Sequence, residues 1–219
     1  MKDIQTKSKR RVADYGEVFT AEREVNAMLD LVKQETERID SRFLEPACGN
    51  GNFIAEILQR KLKVVRDRYR KNSDDYERYA IISITSVYGI DILEDNVEEC
   101  RKRLFAIFDK EYMAICRKKV NDETRNAVKH ILVHNILCGD ALTLRTTDDE
   151  PIVFCEWSTV NGFLLKRRDF RLDHMLEGHD DQMSLEMVDW QYDEEIQAFI
   201  PLPFREFAPK HYRRIVEDE

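Results

Sequence analysis

The run Phe43-Leu44-Glu45-Pro46-Ala47-Cys48-Gly49-Asn50-Gly51-Asn52-Phe53 holds the residues best suited to chemistry in this chain. An apolar lead-in, glycines two apart and an apolar helical stretch describe a strand that turns tightly over a ligand. Gly49 and Gly51 have no Cβ and accept positive φ, so backbone N–H groups there can come close to a ligand. A Gly-x-Gly pair taken alone is better read as a tight structural turn. A second strand candidate, Ser86-Val87-Tyr88-Gly89-Ile90-Asp91-Ile92, carries an acid near its end, where it can accept hydrogen bonds from ribose hydroxyls. A dinucleotide fingerprint would need a third glycine where this chain has Phe53 and Ile54, which makes an NAD oxidoreductase the weaker reading.

The segment Glu45-Pro46-Ala47-Cys48-Gly49-Asn50-Gly51 resembles the loop Asp-Pro-Ala-Cys-Gly-Ser-Gly of S-adenosylmethionine-dependent DNA methyltransferases, above all the adenine-N6 enzymes of restriction–modification systems. Gly16-Glu17-Val18-Phe19-Thr20 is similar to that family's Gly-x-Phe-Thr-Pro, with Ala21 in place of the proline. By this resemblance Phe19 and Thr20 contact the methionine end of the cofactor. An aromatic staple at the entry of a helix capped by Thr20 explains the same residues equally well. Asn135-Ile136-Leu137-Cys138-Gly139-Asp140-Ala141-Leu142 is similar to the family's third strand and its Gly-Asp-Ala-Leu turn, whose aspartate accepts from the adenine amino group. The resemblance thus implies S-adenosyl-L-methionine as cofactor, bound by Phe19, Thr20, Glu45, Ala47, Cys48, Gly49, Gly51, Asp91, Ile92, Asp140 and Ala141.

Where the family carries its base-binding motif, Asn/Asp/Ser-Pro-Pro-Tyr/Phe at the end of a fourth strand, this chain departs. Its five prolines are Pro46, Pro151, Pro201, Pro203 and Pro209, and no two are adjacent. The fourth strand candidate, Pro151–Glu156, continues into Trp157-Ser158-Thr159. Trp157 stacking on a flipped base and Glu156 accepting from an amino group would supply parts of such a pocket. An aromatic residue covering the end of a sheet, with an exposed acid beside it, is the simpler assignment. Cytosine-C5 chemistry would need a Pro-Cys nucleophile, whereas Cys155 follows Phe154. The catalytic residues are therefore unassigned, with Glu156 and Trp157 as the two candidates.

Positioning these turns requires alternating strands and helices. Ile54, Ile57, Leu58, Leu62 and Val65 recur at helical spacing after the glycine loop, and a further helix is expected over Asp74–Ile84. Val97, Leu104, Ile107, Phe108 and Ile115 mark a long helix within Glu94–Lys119, followed by another over Glu123–Val133. The expected fold is α/β and Rossmann-like, of the methyltransferase type: a mainly parallel sheet with helices on both faces, cut short after the fourth strand. Later segments, Gly162–Leu165 and Ile196–Ile200, are each expected as one strand, Glu177–Glu195 as a loop, and the stretch bearing Pro201, Pro203 and Pro209 as an extended tail. Two parts follow: a cofactor-binding domain over 1–172 and an acidic, proline-containing extension over 173–219. Similarity covers roughly residues 10–156, and the remaining length is too short for three more strands and a target-recognition domain.

A chain of 219 residues with 42% hydrophobic residues suffices for one substantial core. No apolar run approaches a membrane span and no signal-peptide core precedes it, so no membrane partner and a cytoplasmic location are expected. The five cysteines, Cys48, Cys100, Cys116, Cys138 and Cys155, show no metal spacing and are expected as reduced thiols. His130 and His134 would share a helix face without further ligands, so no metal is expected. Residues 173–219 carry 13 acids against 4 bases, while the rest is nearly balanced at 30 against 31. The basic clusters Lys7–Arg11, Arg66–Lys71 and Lys166–Arg168 read as solvated faces more readily than as a DNA groove. DNA is accordingly expected as a partner through another subunit, within a homo- or hetero-oligomer.

The combined expectation is a cofactor-binding methyltransferase-like protein of a restriction–modification or related defence system, methylating adenine N6 if active. Two alternatives stay open: a catalytically inactive subunit that scaffolds or regulates a partner, and an enzyme methylating a small molecule or protein.

Overall fold

A computed structural model describes residues 6–176, 190–194 and 197–218. Helices α1 (Lys9–Tyr15), α2 (Glu22–Asp30) and α3 (Lys33–Thr36) lead into strand β1 (Phe43–Glu45). Next come α4 (Asn52–Tyr69), α5 (Ser73–Thr85), β2 (Val87–Asp91), α6 (Glu94–Cys116), α7 (Asp122–Asn135) and β3 (Ile136–Cys138). The expected helical faces are the buried ones: Ile54, Ile57, Leu58, Leu62 and Val65 on α4, and Val97, Leu104 and Phe108 on α6. Asn72 caps α5 through the amide N–H groups of Asp74 and Asp75, and Asn121 caps α7 through that of Glu123. Helix α2 starts at Ala21 without any side-chain cap, so Thr20 is not its cap.

Strands β1, β2 and β3 form a three-stranded parallel sheet in that spatial order, with Phe43 opposite Val87 and Gly89 opposite Ile136. Parallel neighbours need helical crossovers, and the pairs α4–α5 and α6–α7 supply them. One face of the sheet turns Val87 and Gly89 toward the helices; a Cβ on Gly89 would lie 2.7 Å from Ile54 Cδ1 of α4.

The other face corrects the expectation of helices on both sides. Tyr88 and Ile90 meet Ile152, Phe154 and Leu172, which belong to a second, antiparallel sheet and its flanks. Strand β4 (Val153–Thr159) pairs antiparallel with β5 (Leu164–Arg171), which is followed by α8 (Leu172–Leu176). The segment expected as the fourth parallel strand is therefore not part of the parallel sheet. Between β3 and β4 the chain makes no crossover helix but doubles back on itself: the Asp140 amide donates to Arg145 O at 2.8 Å and that of Ile152 to Leu144 O at 2.9 Å. The chain turns twice here, between Asp140 and Arg145 and again between Arg145 and Pro151, and β4 then takes β5 as its partner instead of a strand of the parallel sheet.

Of the segment Gly162–Leu165, Leu164 and Leu165 open β5 while Gly162 and Phe163 form the turn before it; of Ile196–Ile200, the residues from Ala198 belong to β7 (Ala198–Pro201), which pairs with β6 (Trp190–Asp193), and Ile196 lies outside the described residues. Most of the expected loop at Glu177–Glu195 lies outside the described residues, and its described end is β6. The proline-bearing stretch is extended only in short pieces, β7, β8 (Arg205–Glu206) and β9 (Lys210–His211), the last two pairing with β5. It closes in 3-10 turns over Tyr212–Asp218, and Tyr212 and Ile215 insert into the main core. There Glu77 of α5 accepts from Tyr112, Tyr212 and Arg213, satisfying a carboxylate that is almost wholly buried.

Candidate functional site

The carboxyl ends of β1, β2 and β3 and the segment Tyr15–Thr20 enclose a cleft of about 710 Å3. Its lining includes Phe19, Thr20, Glu45, Ala47, Cys48, Gly49, Asp91, Ile92, Asp140 and Ala141. These residues come from four separate stretches of sequence, and the parallel sheet brings them together. Ligands of open α/β sheets sit beyond the carboxyl ends of the strands, which is where this cleft lies.

The glycine loop forms its floor. Gly49 has φ of 52° and Gly51 of 85°, left-handed conformations that favour glycine. They serve different purposes. A Cβ on Gly49 would approach the Phe19 ring at 3.0 Å, on the cleft side, whereas a Cβ on Gly51 would lie 2.5 Å from Cys100 Sγ of α6. Gly51 is the residue that enters α4 and does not line the cleft; it allows α4 and α6 to pack.

Asp91 is the hub. Its Oδ2 accepts the Gly49 amide at 2.9 Å, and its Oδ1 accepts the Leu93 amide at 3.0 Å and Asn96 Nδ2 at 3.1 Å. A carboxylate has about four acceptor positions, so these bonds leave one on Oδ2. Asp140 uses Oδ1 to accept the Leu142 amide at 2.8 Å, holding the turn after β3. Glu45 is partly buried, and desolvation pushes its carboxyl above the ordinary glutamate value against a backbone hydrogen bond from Ala47. Asn50, also in the lining, has an Oδ1 atom that is buried without a hydrogen-bond partner among the described residues. Thr20 is tied to the loop by its carbonyl, which accepts Asn52 Nδ2 at 2.9 Å.

The two catalytic candidates lie elsewhere. Trp157 is 5% exposed, and its Nε1 donates to Asn135 Oδ1 at 2.8 Å in a buried contact with α7. His130 and His134 of α7 pack edge-on to its ring. Glu156 is held between Arg42, at 2.8 Å, and Arg168, so it is an ion-paired acid rather than an exposed one. Among the described residues no group of three or more His, Cys, Asp or Glu is placed to hold a metal ion, and all five cysteines are free thiols.

Sequence reasoning missed Glu17 and Asn96 as parts of the site. Glu17 stood inside a quoted motif but carried no assigned role. Asn96 falls in the first turn of a helix, and only its burial to 1% exposure distinguishes it from a solvated residue. The Lys7–Arg11 and Lys166–Arg168 clusters are largely committed within the chain, Lys166 to Glu206, Arg167 to Asp169, and Arg11 to Glu17 and Asp95, whereas in the Arg66–Lys71 cluster Arg66 pairs with Glu111 and Arg68, Arg70 and Lys71 are exposed. No helix among the described residues is long and apolar enough to cross a membrane. Comparison with family models, curated proteins and solved structures finds no match to this chain.

Proposed function

We propose that the cleft binds S-adenosyl-L-methionine and that the chain is a cytoplasmic, DNA methyltransferase-like component of a restriction–modification or defence system. The observation that carries this reading is the convergence of the glycine loop, Asp91, the Asp140 turn and the Phe19 segment on one cleft at the strand ends. The residues suit the group: Asp91 retains an acceptor position, and Asn50 Oδ1 lacks a partner among the described residues. Asp91 would accept from the ribose hydroxyls, Asp140 from the adenine amino group, and Phe19 and Thr20 would face the methionine end. When bound, the cofactor supplies an electrophilic sulfonium methyl for transfer to an exocyclic nitrogen such as adenine N6. The chain's own contribution is to hold and orient that cofactor.

One observation favours a non-catalytic cofactor-binding subunit as the second reading. Neither Glu156 nor Trp157 reaches the cleft, and there is no Pro-Pro motif to hold a flipped base. DNA would then be engaged through another subunit, which agrees with the internal ion pairs made by the Lys7–Arg11 and Lys166–Arg168 clusters. Calorimetry with S-adenosylmethionine and S-adenosylhomocysteine tests the cofactor, and the parent should bind both saturably. Gly49→Ala should weaken binding while the folded signal persists, because its methyl group presses on the Phe19 ring. Absence of binding to the parent would refute the reading. Transfer of labelled methyl to duplex DNA should be barely detectable for the chain alone, and robust turnover would refute the subunit reading.

A further inference from the structure

The segment running from Lys7 to Thr20 is attached to the cleft by a chain of polar contacts that no part of the cofactor assignment uses. Asn96 sits at its centre. The two hydrogens of its Nδ2 go to Glu17 Oε1 at 2.7 Å and to Asp91 Oδ1 at 3.1 Å, so one carboxamide joins the acid of the strap to the acid at the end of β2. Its Oδ1 accepts from Lys7 Nζ at 2.8 Å and Arg11 Nη2 at 3.2 Å. All its hydrogen-bonding positions are thereby used in a buried place, and such a network holds only if every member stays in position.

Arg11 closes the other end. It grips Glu17 through Nε at 2.6 Å and Nη2 at 2.7 Å, and Asp95 through Nη1 at 2.6 Å and Nη2 at 3.1 Å. Bidentate, charge-assisted pairs of this kind are the strong ones. Burial acts to raise the Glu17 carboxyl, but hydrogen bonds from Arg11 and Asn96 outweigh it and hold the acid below its ordinary value. Arg11 draws Asp95 down to about 2. Lys7 adds an ion pair to Glu99 at 2.7 Å. Apart from these polar links, α1 buries no residue, so packing does not hold it in place. A helix of this length is marginal in isolation.

We propose that residues 7–20 form a strap whose closure is coupled to occupancy of the cleft through the relay Arg11–Glu17–Asn96–Asp91, with Asn96 and Arg11 as positioning residues. The inference rests on the cofactor reading. A ligand hydroxyl donating to Asp91 fixes that carboxylate, which fixes the Asn96 carboxamide and so the Glu17 end of the strap. The strap in turn carries Phe19 onto Gly49 in the cleft lining. Coupling is reciprocal: if ligand tightens the strap, loosening the strap must release the ligand.

Hydrogen exchange of the strap amides and the dissociation rate of S-adenosylhomocysteine, measured on the full chain, test this. In the parent, ligand should slow exchange across residues 8–20. In Arg11→Ala the strap should exchange rapidly with or without ligand, and dissociation should be about tenfold faster, as expected for the loss of a charge-assisted contact. Asn96→Asp, which sets a third carboxylate against Glu17 and Asp91, should behave likewise. Arg10→Ala makes the same charge change at a side chain that pairs, among the described residues, with Asp14 alone, and should resemble the parent. Binding to the parent without slower strap exchange, a parental off-rate in Arg11→Ala, or equal effects in Arg10→Ala would each overturn the strap alone. Failure of the parent to bind would overturn the cofactor reading and the coupling with it.

Discussion

Replacing Gly51 by alanine should damage the fold rather than the ligand contacts, and the structure gives the size of the effect. At φ of 85° an alanine sits in the left-handed region, which costs about 1–2 kcal/mol relative to glycine. Its Cβ would also lie 2.5 Å from Cys100 Sγ and 3.4 Å from Cys100 Cβ. Cys100 is fully buried and cannot swing into solvent, so α4 and α6 must separate, an overpacking penalty of about 1–3 kcal/mol. Gly51→Ala should therefore lose about 2–5 kcal/mol of stability in urea unfolding followed by circular dichroism. Cys100→Ala removes the clashing sulfur and by itself should cost about 1 kcal/mol for the small void. In the double variant the steric part disappears and the backbone strain stays, so the cycle should show a favourable coupling of about 1–3 kcal/mol. A Gly51→Ala protein within about 0.5 kcal/mol of the parent, or a cycle with no coupling, would refute the assignment of Gly51 to helix packing.

Trp157→Phe leaves Asn135 Oδ1 without its donor and should destabilise the fold by about 1–3 kcal/mol while cofactor affinity stays parental; a selective loss of DNA methylation in a stable variant would instead restore Trp157 to a base pocket. Lys61, 0% exposed, is pushed down to about 7 by burial, although Ile39 O, Ser41 O and Ser86 Oγ surround its ammonium group. Because the folded value lies below the unfolded one, the unfolded chain binds more protons above pH 7, and Lys61 penalises folding most at low pH. Stability of the parent relative to Lys61→Met should therefore rise from about pH 7 toward 10, by up to about 1.4 kcal/mol per pH unit in denaturant titrations; a flat difference would show that the three acceptors keep the ammonium charged.

Local patterns carried much of the architecture. The spacing of Ile54, Ile57, Leu58, Leu62 and Val65 announces α4 because a helix returns the same face every three to four residues, whatever lies against it. The glycine loop was legible for a similar reason: positive φ at Gly49 and Gly51 is a property of single residues. What each glycine is for was not legible, since only the packing of α6 shows that Gly51 makes room for Cys100, and only the placing of the Tyr15–Thr20 segment shows that Gly49 makes room for Phe19. Strand β4 was visible as an apolar run, but its partner was not, because pairing depends on how the chain returns. After the two turns between Gly139 and Pro151 it forms a hairpin with β5 over Tyr88 and Ile90 instead of joining the parallel sheet. Asn96 was hidden altogether. Its amide gains meaning only when Glu17, Lys7 and Arg11, distant in the chain, are brought with nearby Asp91 within 3.2 Å of it. Sequence by itself determined the long amphipathic helices and the glycine loop, because their patterns are local; the short helices α1, α3 and α8, and which face is covered and by what, were decided by contacts that no local spacing encodes.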